Sequence, residues 1–188
     1  MISKKDRYAG IVHAAASVIM TLLLIYIIAD VFVRDASFVM GNLLLYIAML
    51  VYCGLNILVS QQLNSEKALL HRIITLQFAV KALPAAVLAV ASMLDQPNYF
   101  SAAMLGITAA MEAKIAWDYW KYRNPDRLSK FFLGLFSFAQ LVLALLFMMV
   151  SIEDEAADYP AIILPVMSAV CYICLLIRSF GSKKKEAV

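Results

Sequence analysis

Charge is scarce in this sequence. Only 15% of the 188 residues are Asp, Glu, Lys or Arg, against about 25% in an ordinary soluble domain. The net charge of +3 is too small to point to a nucleic-acid partner, which calls for clustered Lys and Arg. Glycine and proline number six and five, which excludes low-complexity sequence and long flexible linkers. The three cysteines, Cys53, Cys171 and Cys174, all lie in apolar runs, so no disulfide framework can be drawn. Two histidines are too few for the paired axial ligands of a multi-haem cytochrome.

Catalytic signatures are missing as well. There is no HExxH, no His–carboxylate–Cys cluster at metal-ligand spacing, no Gly-rich phosphate loop and no GxSxG elbow. No dense acidic motif suited to Mg²⁺ occurs. The sequence therefore predicts no metal site, no cofactor and no catalytic set.

What is abundant is apolar. Hydrophobic residues make up 64% of the chain, and the mean hydropathy is +0.83. One soluble domain of this length cannot hide so much apolar surface, so lipid must serve as solvent for much of it. Six runs can span: about Tyr8–Val33, Phe38–Ser60, Leu69–Leu94, Tyr99–Tyr122, Phe131–Ile152 and Ala161–Ile177. The last extends to about Tyr159–Phe180 if Arg178 snorkels. At 1.5 Å per residue such helices cross a hydrocarbon core of ~30 Å, and the runs are too long for barrel strands. The first run exceeds the ~7–15 residues of a signal-peptide core and ends in Asp30 and Arg34, so it reads as a retained helix.

The charges that remain alternate by side. Lys4, Lys5 and Arg7, then Lys67 and Arg72, then Lys121, Arg123, Arg127 and Lys130, then Arg178, Lys183, Lys184 and Lys185 fall on one side, and Arg34 alone on the other. The positive-inside rule makes the basic side cytoplasmic. The opposite loops carry Asp35, Asp95, Glu153, Asp154, Glu155 and Asp158. Trp117, Tyr119, Trp120 and Tyr122 mark the inner interface of the fourth span, and Tyr99, Phe100 and Tyr159 the outer one. The expected fold is all-α: a polytopic inner-membrane protein of six transmembrane helices forming a single domain. Both termini are cytoplasmic, and three antiparallel helical hairpins make one bundle.

Polar groups at bilayer depth are the functional pointers, since an exposed charge there costs ~2.5–3.5 kcal/mol. Lys81 lies nine residues beyond Arg72, and Glu112 eight before Trp120. Both therefore sit roughly 12–14 Å in from the same end of adjacent antiparallel helices, and they are expected to approach or pair. Gln77 stands one turn from Lys81, and Gln140 of the fifth span reaches a similar depth. Such a layer either binds a ligand or is a structural ion pair that fixes register. Lys114 projects to a different face and is expected to snorkel toward the cytoplasm.

A second polar face comes from His13, Ser17 and Thr21 on the first span, with Asn42, Tyr46, Met49, Cys53 and Asn56 on the second. It is either a pocket wall or ordinary interhelical hydrogen bonding. Gly10 and Ala14 make a small-xxx-small spacing that could pack within the chain or dock a membrane-protein partner. Cys171-Tyr172-Ile173-Cys174 resembles a redox motif in spacing only, because buried apolar Cys behaves as a small hydrophobe. Pro84, just beyond Lys81, can kink its helix.

Three functions fit these features. The first is binding or transport of a small molecule or ion, alone or as the membrane subunit of a transporter. The second is a non-catalytic regulatory, assembly or immunity partner of another membrane protein. The third is an intramembrane enzyme, with His13 as the natural base.

Overall fold

A computed structural model of the chain describes residues 4–41, 43–63, 69–94, 98–153 and 159–181. Asn42, Lys67, Asp95, Asp154, Glu155, Asp158 and Lys183–Lys185 lie outside these residues. Seven helices are described: α1 (Lys4–Arg34), α2 (Ala36–Gly41), α3 (Leu43–Leu63), α4 (Leu69–Leu94), α5 (Tyr99–Tyr122), α6 (Arg127–Glu153) and α7 (Tyr159–Gly181). The protein is all-α. Four segments are long and apolar enough to cross a membrane: Arg7–Arg34, Leu69–Leu94, Arg127–Ser151 and Tyr159–Phe180. Leu45–Gln61 is a shorter apolar helix. α5 falls outside this set because Glu112, Lys114 and Asp118 interrupt its apolar run.

Local chemistry explains the breaks. Asp35 closes α1 with a bond from its N–H to the Val31 carbonyl (2.7 Å), and its Oδ1 accepts from Ser37 Oγ (2.6 Å) and Phe38 N (3.0 Å), starting the short α2. Asn98 caps α5 by accepting from Ser101 N at 3.0 Å. α5 ends at Arg123, whose φ of 57° is left-handed, a conformation that costs a non-glycine residue about 1 kcal/mol or more. Asp126 then caps α6, its Oδ1 accepting from Ser129 N at 2.7 Å.

Consecutive long helices pack as hairpins, α1 with α3, α4 with α5, and α6 with α7. α3 also packs on α4, and α1 on α7, while α5 and α6 touch only lightly. The helices thus follow one another in the order α5, α4, α3, α1, α7, α6. The outer surface is apolar: Leu22, Val33, Leu83, Leu94, Phe138 and Leu145 are each more than half exposed. A belt of that kind is a liability in water and an asset in hydrocarbon.

The interior divides along its length. At the end that holds the α5–α6 turn, a dense core brings together Leu63, Leu70, Ile74, Phe78, Ile115, Tyr119, Leu133, Tyr172 and Leu175. Tyr119, expected as an interface anchor, is buried there, whereas Trp117, Trp120 and Tyr122 are exposed. Two basic side chains stitch this end. Buried Lys130 donates to the Ser179 carbonyl at 2.9 Å, and Arg178 donates to the Leu63 carbonyl. Both basic groups meet carbonyls at helix C-termini, where cations are favoured. α6 begins at Arg127 rather than at Phe131, so Lys130 belongs to its first turn and not to a loop.

Gly10 is buried against the rest of the chain and Ala14 is half-buried. At Gly10 the small-residue spacing serves packing within the chain.

Candidate functional site

Beyond the dense core the helices part around a cavity of about 540 Å³. That volume lies within the ~300–1,000 Å³ of small-ligand sites. All six long helices line it: Met20 and Leu24 from α1, Tyr52 and Cys53 from α3, Lys81 and Pro84 from α4, Thr108 and Glu112 from α5, Phe136 and Gln140 from α6, Ser168 and Tyr172 from α7. The walls are mostly apolar, and they continue through Leu45, Leu88, Leu105, Phe147 and Ala161 toward the ends of α1 and α4. The charged and phenolic groups gather at the opposite end, against the dense core.

Lys81 is the centre of that polar end. Its Nζ stands 3.2 Å from Glu112 Oε1 and donates a hydrogen bond to the Tyr172 hydroxyl. It also lies 4.8 Å from the ring centre of Tyr52 and 6.0 Å from that of Phe136. Each such cation–π contact is worth ~0.5–2 kcal/mol, more when desolvated. One carboxylate, one phenolic oxygen and two rings therefore compensate an ammonium that would otherwise be costly at this depth. The Tyr172 ring is itself held by Phe136 at 5.6 Å, stacked, and by Phe78 at 6.2 Å, tilted.

Both proline-bearing helices border the same space. Pro84 and Pro165 lie inside α4 and α7, and both line the cavity. Proline offers no N–H to the carbonyl four residues back, and interrupted helices of this kind are tolerated in a membrane where they face a cavity.

The other sequence-predicted residues divide. Gln140 lines the cavity. Gln77 does not: it is buried, and its Nε2 donates to Asn56 Oδ1 at 2.7 Å, tying α4 to α3. Asn56 in turn donates to the Tyr52 carbonyl at 3.3 Å. His13 is fully buried, with Nδ1 at 2.6 Å from Ser60 Oγ and 3.3 Å from Ser17 Oγ. Ser17 also approaches Cys171 Sγ at 3.7 Å. This second polar face is thus a hydrogen-bonded seam joining α1, α3 and α7. Met49 and Cys53 are the members of the α3 face that reach the cavity. Cys53, Cys171 and Cys174 are buried free thiols.

Lys114 turns toward the α5–α6 turn but is not alone there. It meets Asp118 Oδ1 at 2.6 Å and Asp126 Oδ2 at 2.9 Å. Buried Asp118 also accepts from Ser129 Oγ (2.7 Å) and Asp126 N (3.0 Å) through Oδ2. This clamp fixes the turn after the strained Arg123. The serine backbone bond and then Lys114 hold the Asp126 carboxyl down at about 2.

Sequence reasoning missed Tyr52, Tyr172, Asp118 and the burial of Lys130. Asp118 carried a usable signal, being one turn from Lys114. Among the described residues, no group of three or more His, Cys, Asp or Glu could hold a metal ion. No protein-family model matches the chain, and no curated protein or solved structure matches it.

Proposed function

We propose that the chain is a six-span protein of the cytoplasmic membrane, with both termini inside, that binds a small molecule in its central cavity and carries it or presents it to a transport partner. One observation carries the reading. A cavity of about 540 Å³, walled by apolar side chains from six helices, holds an ionised pair at its polar end. Mostly apolar walls with a few convergent polar groups are the common form of a small-molecule site. An ion pair needed only for register would be better served by close packing around it than by open space beside it. In the six-span threading α3 and α5 cross as well, α5 with its charged residues turned to the bundle and to the inner turn.

Ala85 lines the cavity one turn from Lys81, and Ala85→Trp takes up part of its volume while leaving Lys81 and Glu112 themselves unsubstituted. The test is extraction of small molecules from protein purified out of native membranes in mild detergent, followed by mass spectrometry. A compound recovered with the wild type and lost from an equally helical, monodisperse Ala85→Trp protein supports the reading. Identical extracts from the two proteins overturn it.

A further inference from the structure

We propose that the cavity takes a singly anionic amphiphile, a carboxylate or sulfonate head on an apolar body, together with one proton. This rests on the reading of the cavity as a small-molecule site and names its ligand class. The apolar body follows from the walls beyond the polar end, and the head group follows from the donors at that end.

An ammonium has three N–H donors. Lys81 gives one to Glu112 and one to Tyr172, which leaves the third. Beside it, the Tyr52 hydroxyl is a buried polar group with no hydrogen-bond partner among the described residues, and Tyr52 lines the cavity. A buried group of that kind is costly unless something accepts from it. A carboxylate or sulfonate can accept from Lys81, and from Tyr52 once its hydroxyl turns out of the packing toward the cavity. A cationic ligand has no such place, because it would meet the protein's own Lys81 ammonium, which already stands by the Tyr52 ring and the Tyr172 hydroxyl.

Charge balance supplies the proton. The Lys81–Glu112 pair is neutral as it stands. An anion arriving at Lys81 leaves the site with one uncompensated negative charge in a low-dielectric interior. Besides Glu112, the titratable side chains lining the cavity are Lys81 on α4, Tyr52 and Cys53 on α3 and Tyr172 on α7: an ammonium, two phenols and a thiol, which are proton donors, whereas the carboxylate is an acceptor. The α1 and α6 walls bring no titratable lining group, and Lys114 of α5 is engaged with Asp118 and Asp126. Glu112 alone can gain a proton. Its carboxylate then becomes a neutral acid, the Lys81 N–H it held passes to the ligand head, and the site is neutral again. Proton and anion each strengthen the other's binding by the same factor.

The experiment uses the full chain in lipid nanodiscs and a diazirine-bearing decyl sulfonate, whose head stays ionised throughout, with labelled peptides mapped by mass spectrometry. Labelling should fall on the cavity stretches of α4 and α5, and should be competed by decanesulfonate far better than by decanol or decyltrimethylammonium. From about pH 8 to about pH 6 the half-saturating concentration should fall by up to about tenfold per pH unit. Glu112→Gln should bind with the wild type's low-pH affinity at both pH values, and Lys81→Met should lose most labelling. Equal competition by decanol or the quaternary amine overturns the anion class while the cavity reading survives. A pH-independent wild type overturns the proton. No labelling of the cavity in the wild type by the sulfonate or by matched alcohol and amine probes overturns this inference and the cavity reading together.

Discussion

Lys81 and Glu112 come from neighbouring helices and meet with their charged atoms 3.2 Å apart beside a cavity. The two partners are not equally dispensable. Neutralising an ordinary lysine at pH 7 costs about 4–5 kcal/mol, and neutralising an ordinary glutamate about 3–4 kcal/mol. Glu112→Leu, which strands the ammonium, should therefore destabilise by about 3–5 kcal/mol, the range for breaking a buried pair. Lys81→Met should cost less, because Glu112 can take a proton. The double variant should recover most of the Glu112→Leu loss. Reversible unfolding in mixed detergent micelles, followed by circular dichroism, measures all three. A double variant as unstable as Glu112→Leu would mean that the pair does not act as a unit.

The turn between α5 and α6 carries an acid-sensitive cap. The Asp126 carboxyl is held at about 2, below its ordinary 3.8, first by the Ser129 backbone N–H and then by Lys114. A carboxyl depressed in the folded state adds stability above its unfolded value, and that stability is lost as the pH falls through the folded one. The contribution should be complete above about pH 5 and should disappear from about pH 4 toward about pH 2. Because the side chain is 49% exposed, the effect should be modest. The thermal midpoints of wild type and Asp126→Asn should differ at neutral pH and converge in that acid window. A gap that persists unchanged into acid would remove Asp126 from the cap.

How much of this could be read in the sequence depended on whether depth alone decides the contact. Lys81 and Glu112 could be matched by counting from Arg72 and Trp120, because a short turn forces adjacent helices into register. Gln77 defeats the same logic. It stands one turn from Lys81, but each residue of a helix meets whichever neighbour lies at its own level, and there α4 faces Asn56 of α3. Tyr52 and Tyr172 escaped because nothing in composition separates a tyrosine that cradles a lysine from one that anchors at an interface. Tyr119 shows the converse, an expected anchor that is buried in the core. Spans were legible where apolar runs are unbroken, as in α6 and α7, and less so in α5, whose buried Glu112 and Asp118 lower its apolarity for reasons only the packing reveals.

α5 is accordingly the helix on which the membrane threading turns. If all six long helices cross, the chain passes outward along α4 and returns along α5, so Pro97 and Asn124 lie on opposite sides. If α3 and α5 stay out of the hydrocarbon, leaving the four segments that are both long and apolar enough to cross, both positions lie inside. The energetics of α5 allow crossing: Lys81 compensates Glu112 within the bundle, Lys114 and Asp118 sit with Asp126 near the α5–α6 turn, and Lys121 lies at the helix end beside Trp117 and Tyr122, so no charge need lie unpaired in mid-bilayer. Alkaline phosphatase fused after Pro97 should be active and the same enzyme after Asn124 silent, while a fluorescent protein should light up after Asn124 and after Val188. Silent phosphatase at both internal sites would mean that α5 does not cross, and the six-span threading would fall with it.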